Sequence, residues 1–421
     1  SLRNDAAWHN GTPVTPRDII FTFHAIQDPS YGSPAAATFQ SVSVEQVDER
    51  TVSFVLDEPF APFLSTLTIG ILPAEVWGEL DPATVRLAER NLIPLGSGPY
   101  KFEELEKDRK GIVKSYTVSR FGDFYGGAPF LETITFKFYP DMDSALDALR
   151  NRRVEGIAFA PKESLKDVSG QQILTPSLPQ ITALFFNLKS ATVADRELRV
   201  ALGAAINKSD LIKNVLQGQA AEIHSPILPT YQTASDVYAN QTPYSPEIAA
   251  QKLDALGWTV TEGSTMRSKT VDGEQKTLTL KITTIDQPET VSVANRIADL
   301  WKQVGVDAQV EAVASTTFRD ETLKTRSYDI LFTGILMGAD PDPYSFWHSS
   351  QSEAPRLNLS QFGSRKADEW IEKARQTSNV EERKAAYEQF VGIINEIVPA
   401  IFLYQPTYTY VTAEKIRGIE L

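Results

Sequence analysis

Apolar and polar positions along this chain alternate with two periods, and the switches between them mark out its elements. In "TPRDIIFTFHAI" the residues Ile19, Ile20, Phe23 and Ile26 share one helical face. Thr15 suits the N-cap, Pro16 the first helical position and Asp18 the return half of a capping box. The stretch "VSVEQVDERTVSFVLDEP" alternates on both sides of Asp48-Glu49-Arg50 and reads as a hairpin with one buried face. A tight "GSGP" connection precedes a strand at "YKFEEL", and two further strands are centred near Tyr116 and Phe136. "DMDSALDALRNRRVEGIAFA" supplies an amphipathic helix through Ala145 and Leu149, then a short strand.

The later pattern is richer. "DRELRVALGAAINKSDLIKNVLQG" reads as a helical pair closed by Gly218, and "SPEIAAQKLDALGW" as a capped helix ending at Gly257. Leu278, Leu280 and Ile282 alternate as in a strand. Val293, Ile297, Leu300, Trp301 and Val304 form a helical stripe that Gly305 ends, and "VDAQVEAV" alternates again. Strand, helix and strand over this length predict a βαβ unit with parallel pairing. "YDILFTGIL" is continuously apolar, as a strand buried on both faces should be. Two helices follow, from about Arg365 and from Val380, the second with Ser378 and Glu381 as its capping box. "VPAIFLYQPTYTYV" closes the chain as β-prone sequence too apolar to hang free.

Directly after the buried strand comes "MGADPDPYSFWHSS". Each proline lacks an amide donor and pushes the residue before it towards extended backbone, so Asp340 and Asp342 sit on a stiff turn. The βαβ reading puts that turn at a strand's carboxyl end, where open α/β sheets bind ligands. An aspartate there either takes a charged group of a ligand or caps its own turn.

Composition narrows the field. The 421 residues carry a net charge of −13 and no basic run, which argues against nucleic acid and anionic lipid as partners. Without cysteine there is no thiol nucleophile, thiolate metal site or disulfide. No stretch approaches the ~20 apolar residues that cross a bilayer. The chain opens on Ser1, and any signal peptide or lipid-anchor cysteine is expected to have been removed already. The histidines His9, His24, His224 and His348 offer no metal-ligand spacing. Ser97 is flanked directly by glycines, unlike a nucleophile elbow. An enzyme is not expected, nor a cofactor.

Four stretches, in this order and spacing, carry a resemblance: "WHNGTPVTPRDIIFTF"; "PLGSGPYKF" with "FYGGAPFLETITFKFYPD"; "FFNLKSATVADRELRVALGAAINKSDLI"; and "YDILFTG" with the Asp-Pro turn. Across nearly its whole length the chain resembles the peptide-type, family 5 solute-binding proteins of ABC importers. The resemblance implies an α/β, two-lobed periplasmic-binding-protein-like fold with an extra small domain in the first lobe and a ligand enclosed between the lobes. Residues 1–93 would be the small domain, 94–176 part of the first lobe, 177–401 the second lobe, and 402–421 a return strand to the first. Family members carry several dozen residues ahead of the "WHNGTP" region, including first-lobe strands. This chain is therefore expected to lack part of that lobe or to have been separated from it.

In peptide-binding relatives an aspartate of the corresponding turn bonds the ligand's α-ammonium, a strong charge-assisted contact. Asp340, which follows Gly-Ala, is the better match. The loop is one residue shorter than the family's spacing, so Asp342 is the alternate. Met337 and Gly338 would present backbone to an extended ligand by strand addition. Tyr344 and Trp347 are candidate pocket walls, and Phe402 and Tyr404 candidate cleft residues on the return strand; core packing is the competing role for all four. The implied partners are a peptide or other small solute and the permease subunits of an ABC importer, with the chain itself a monomer outside the cytoplasm. The alternative is the same fold used for a non-peptide solute, or as a sensor or assembly module.

Overall fold

A computed structural model describes residues 1–165, 169–231, 233, 243–271 and 273–419. The chain packs into two compact units: Ser1–Pro59 with Thr66–Glu155, and Phe60–Ser65 with Gly156–Leu421.

In the first unit, the helix Pro16–Gln27 starts as its sequence directs. The Thr15 amide and hydroxyl both donate to Asp18 Oδ2, at 2.9 and 3.0 Å, and Asp18 Oδ1 accepts the Ala74 amide at 2.8 Å. Phe23 and Ile26 turn inward, as do Thr22 and Ala25. Strands β1 (Val42–Gln46) and β2 (Val52–Leu56) form the expected antiparallel hairpin. Strands β3 (Tyr100–Lys107), β4 (Val113–Arg120) and β5 (Thr133–Lys137) make an antiparallel sheet in that order.

The second unit is built on a larger sheet. After β6 (Gly156–Ala158) and β7 (Gln171–Leu174) come β8 (Gln180–Phe186) and β9 (Ala220–Glu222). A small antiparallel sheet, β10 (Thr259–Val260), β11 (Arg267–Val271) and β12 (Glu274–Thr277), precedes β13 (Thr279–Ile285), β14 (Asp307–Val313) and β15 (Ile330–Leu336). Strands β16 (Ala400–Pro406) and β17 (Tyr410–Ala413) end the chain's regular structure. The six-stranded order is β14-β13-β15-β8-β16-β9, with β13 parallel to β14 and β15, and β8 antiparallel to both its neighbours.

Side-chain alternation sends successive residues of each strand to opposite layers. On one face Leu184, Phe186, Leu280, Ile282 and Phe332 pack against the helices Arg196–Ala204, Pro246–Ala255 and Pro288–Gln303. On the other, Ala183, Phe185, Leu331 and Phe402 meet the helices Arg365–Gln376 and Val380–Ile397. This is a three-layer α/β arrangement, and the Pro288–Gln303 helix is its expected crossover. Trp301, wholly buried, also donates its indole N–H to the Leu202 carbonyl at 3.0 Å. Burying one large apolar side chain stabilises by about 1.5–3 kcal/mol, so this layer carries much of the unit's stability.

Three details differ from the sequence reading. The last long helix is capped by Asn379, whose side chain accepts the amides of Glu381 and Glu382, not by Ser378. Phe402–Pro406 stay inside the six-stranded sheet as part of β16, and it is Tyr410–Ala413 that leave to pair with β6 and β7. Finally, β15 is buried on both faces only through Phe332, while Gly334 and Leu336 are exposed.

Candidate functional site

The carboxyl edge of the six-stranded sheet gathers the chemistry. β13 matches β15 only as far as Thr284 opposite Phe332, so Thr333–Leu336 run on beyond that pairing. On the other side β15 keeps its partner, with Gly334 opposite Thr182 and Leu336 opposite Gln180. Gly334 leaves room there for the Gln180 side chain. A Cβ at this position would lie 2.2 Å from the Gln180 side-chain nitrogen, which crosses over it to Thr182 Oγ1 at 3.1 Å. Leu336 is 67% exposed, an apolar side chain where the strand emerges from the core. Glu289, exposed at the start of the Pro288–Gln303 helix, follows the end of β13.

The Asp-Pro turn continues from β15. The Met337 amide donates to the Pro179 carbonyl at 2.7 Å, and the Gly338 carbonyl accepts the Tyr231 hydroxyl at 2.6 Å. Of the four backbone groups expected to meet an extended ligand, two are thus already bonded. The Met337 side chain turns into the second core and is 7% exposed; Leu336 and Gly338 face outward instead.

Asp340 is held by Arg383. Its Oδ1 accepts Nη2 at 2.7 Å and its Oδ2 accepts Nη1 at 2.9 Å, with both side chains 11% exposed. Arg383 also donates from Nε to the Ala374 carbonyl at 3.1 Å and from Nη2 to the Tyr387 hydroxyl at 2.9 Å. Asp340 Oδ1 caps its own turn as well, accepting the Asp342 amide at 3.0 Å. Asp342 accepts the Tyr344 amide at 3.2 Å, and its Oδ2 lies 3.2 Å from Arg375 Nε as an ion pair without hydrogen-bond alignment. Burial pushes the Asp342 carboxyl up, and Arg375 offsets that only in part. The Arg375 guanidinium stacks between Tyr344 at 4.0 Å and Phe60 at 4.7 Å, and its carbonyl accepts the Ala61 amide at 2.6 Å.

The aromatic candidates separate. Tyr344 stays at the turn, stacked on His348 with ring centres 4.3 Å apart. His348 in turn meets Glu372 through Nε2 at 3.1 Å. Trp347 and Phe402 are 1% and 0% exposed and lie 5.8 Å apart within the second core, together with Phe185. Their side chains are packing, because the Arg365–Gln376 and Val380–Ile397 helices cover that face of the sheet. Tyr404 is buried on the opposite face, its hydroxyl pushed up by burial and by nearby Glu289. Among the described residues no group of three or more His, Asp or Glu is placed to hold a metal ion.

Sequence reasoning missed Arg383, Arg375, Tyr231, Gln180, Leu336 and Glu289. Arg383 did leave a signal. It shares its helical stripe with Ala386, Tyr387 and Phe390, all buried, and a charge on an apolar stripe implies a buried acidic partner.

The α/β fold agrees with what the chain is similar to. Residues 1–356 match the model of the bacterial extracellular solute-binding proteins, family 5 Middle. The oligopeptide-binding protein AppA of Bacillus subtilis is 24% identical over 425 residues, covering 99% of this chain and 77% of that protein. The dipeptide-binding protein of Escherichia coli is 24% identical, covering 99% of this chain and 79% of its own length. Among solved structures, NikZ of Campylobacter jejuni in complex with Ni(L-His) superposes with a TM-score of 0.78 at 26% identity, covering 99% of this chain and 83% of that one. CtaP of Listeria monocytogenes, an ABC transporter substrate-binding protein, gives 0.84 at 23%, covering 100% and 85%. These relatives are binding proteins, not enzymes, and no described helix here is long and apolar enough to cross a membrane. The chain belongs to family 5 of the bacterial extracellular solute-binding proteins.

Proposed function

We propose that this chain captures a peptide outside the cytoplasmic membrane and delivers it to the permease subunits of an ABC importer, without catalysing any change in it. The observation that carries the reading is the β13-facing edge of β15 beyond Phe332. Thr333–Leu336 extend past their pairing with β13, beside exposed Gly334, Leu336 and Gly338. An extended peptide adds to such a strand through main-chain bonds, which fix its direction without reading its side chains. Relatives named for oligopeptide and dipeptide binding support the same class of ligand.

The test is thermal unfolding of the 421-residue protein against a pool of random peptides. A ligand that binds only the folded state, at a hundredfold excess over its Kd, adds about 2.7 kcal/mol of stability. The melting temperature should therefore rise with peptide concentration, and native mass spectrometry should recover intact peptide. A flat melting temperature, or recovery of hydrolysed peptide, overturns the reading.

A further inference from the structure

We infer that Arg383 occupies the position on Asp340 that a ligand's α-ammonium would take, so that this site binds peptides without selecting a free amino terminus. The inference rests on the peptide reading above and narrows its substrate class. A carboxylate offers about four acceptor positions. Asp340 gives two to the Arg383 fork and one to the Asp342 amide. An ammonium arriving at the remaining position would sit beside a guanidinium already bonded to both oxygens, and like charges repel.

Arg383 has no easy way to withdraw. Its other donors go to the Ala374 carbonyl and the Tyr387 hydroxyl, and the residue is 9% exposed on a helix packed into the second core. Leaving Asp340 would strand a guanidinium among apolar residues, a far larger cost than one new ammonium contact returns. The second carboxylate faces a cation too, since Asp342 lies 3.2 Å from Arg375. Two acids and two arginines make the turn neutral overall. What it presents outward is Leu336, Gly338 and Ala339, an apolar and main-chain surface. Such a surface suits a peptide with a blocked terminus, or the interior of a longer peptide passing over the turn.

The test has one arm without ligand and one with it. Asp340→Asn, Arg383→Met and their combination are compared by urea unfolding. Each single change should lower the folding equilibrium constant on the order of 100-fold by leaving a buried partner uncompensated, and the double should lose little more than one single. Additive losses would mean that the pair is not formed and would overturn the inference, whatever the ligand. In the second arm the wild-type protein is equilibrated with a random heptapeptide pool and with the same pool N-acetylated, and retention is compared by native mass spectrometry. Retention should agree within about threefold. A loss of roughly 30-fold or more on acetylation, the size of one charge-assisted bond, would show Asp340 or Asp342 taking the amine and overturn the inference. Arg383→Met, or Arg383→Gln if the first variant fails to fold, should acquire the missing preference for free amines. Retention of neither pool overturns the peptide reading, while the unfolding cycle still decides whether Arg383 closes Asp340.

Discussion

Strand β8 in the second unit carries six consecutive buried residues, Ile181–Phe186, whereas β5 in the first unit buries none of its five. Ile134 and Phe136 are the apolar residues of β5, against five in β8, yet even these two stay out of a core, and the contrast lies in what covers the strands. Helices lie on both faces of the six-stranded sheet, so either parity of side chain finds a layer to enter. The β3-β4-β5 sheet leaves Phe136 and Phe138 each 53% exposed, and Phe130 in the preceding loop is fully open. Apolar sequence therefore predicts a strand in both places but predicts burial only where a second layer exists. The stability of the described chain should be concentrated in the second unit.

The largest test of that contrast is Trp301→Ala, which removes a wholly buried indole and its bond to Leu202. It should cost about 3–5 kcal/mol in chemical unfolding of the second unit. A cost below about 1 kcal/mol would mean that this layer is not the stabilising one.

Lys208 gives the next effect, and it depends on pH. Lys208 is 9% exposed, its ammonium donates to the Ile223 carbonyl at 3.0 Å, and burial lowers its pKa from 10.5 to about 8. Between about 8 and 10.5 the unfolded chain binds this proton and the folded chain does not, so stability rises with pH across that window. Relative to Lys208→Met, the wild type should gain about 2–3 kcal/mol from pH 7 to pH 10.5. An unchanged difference across the window would show that Lys208 stays charged in the fold.

Helix capping in the second unit is smaller still. Asn379→Ala should cost about 1 kcal/mol, and Ser378→Ala close to nothing, by urea midpoint. The reverse order would return the cap to Ser378. Smallest of all, Phe136→Ser should stay within about 0.5 kcal/mol, because the ring is already half in water. A loss above 2 kcal/mol would show that something buries this ring in solution and would end the contrast between the sheets.

Much of the second unit was legible because its signals are local. Val293, Ile297, Leu300 and Trp301 recur at helical spacing, and the alternation of β13 and β14 on either side made the βαβ unit readable. The position of the Asp-Pro turn followed from the same logic. What that turn does was not legible, because its partner Arg383 is 43 residues away along the chain. No periodicity couples a turn to the second helix after it. The aromatics left two roles open for a related reason. Trp347 and Phe402 sit beside turn and strand signals that suit a pocket, and only the helices stacked over them make them core. Glu289 and Gln180 gave no signal, since an exposed acid and a strand-end amide are ordinary until a sheet edge collects them.

The short excursion of Phe60–Ser65 into the second unit has a consequence for how the molecule assembles. The bond from the Ala61 amide to the Arg375 carbonyl closes a loop of roughly 300 residues. A contact of that span is among the last a chain can make, since everything between must first become compact. A single amide, followed by deuterium uptake during refolding, would then report a late step of assembly.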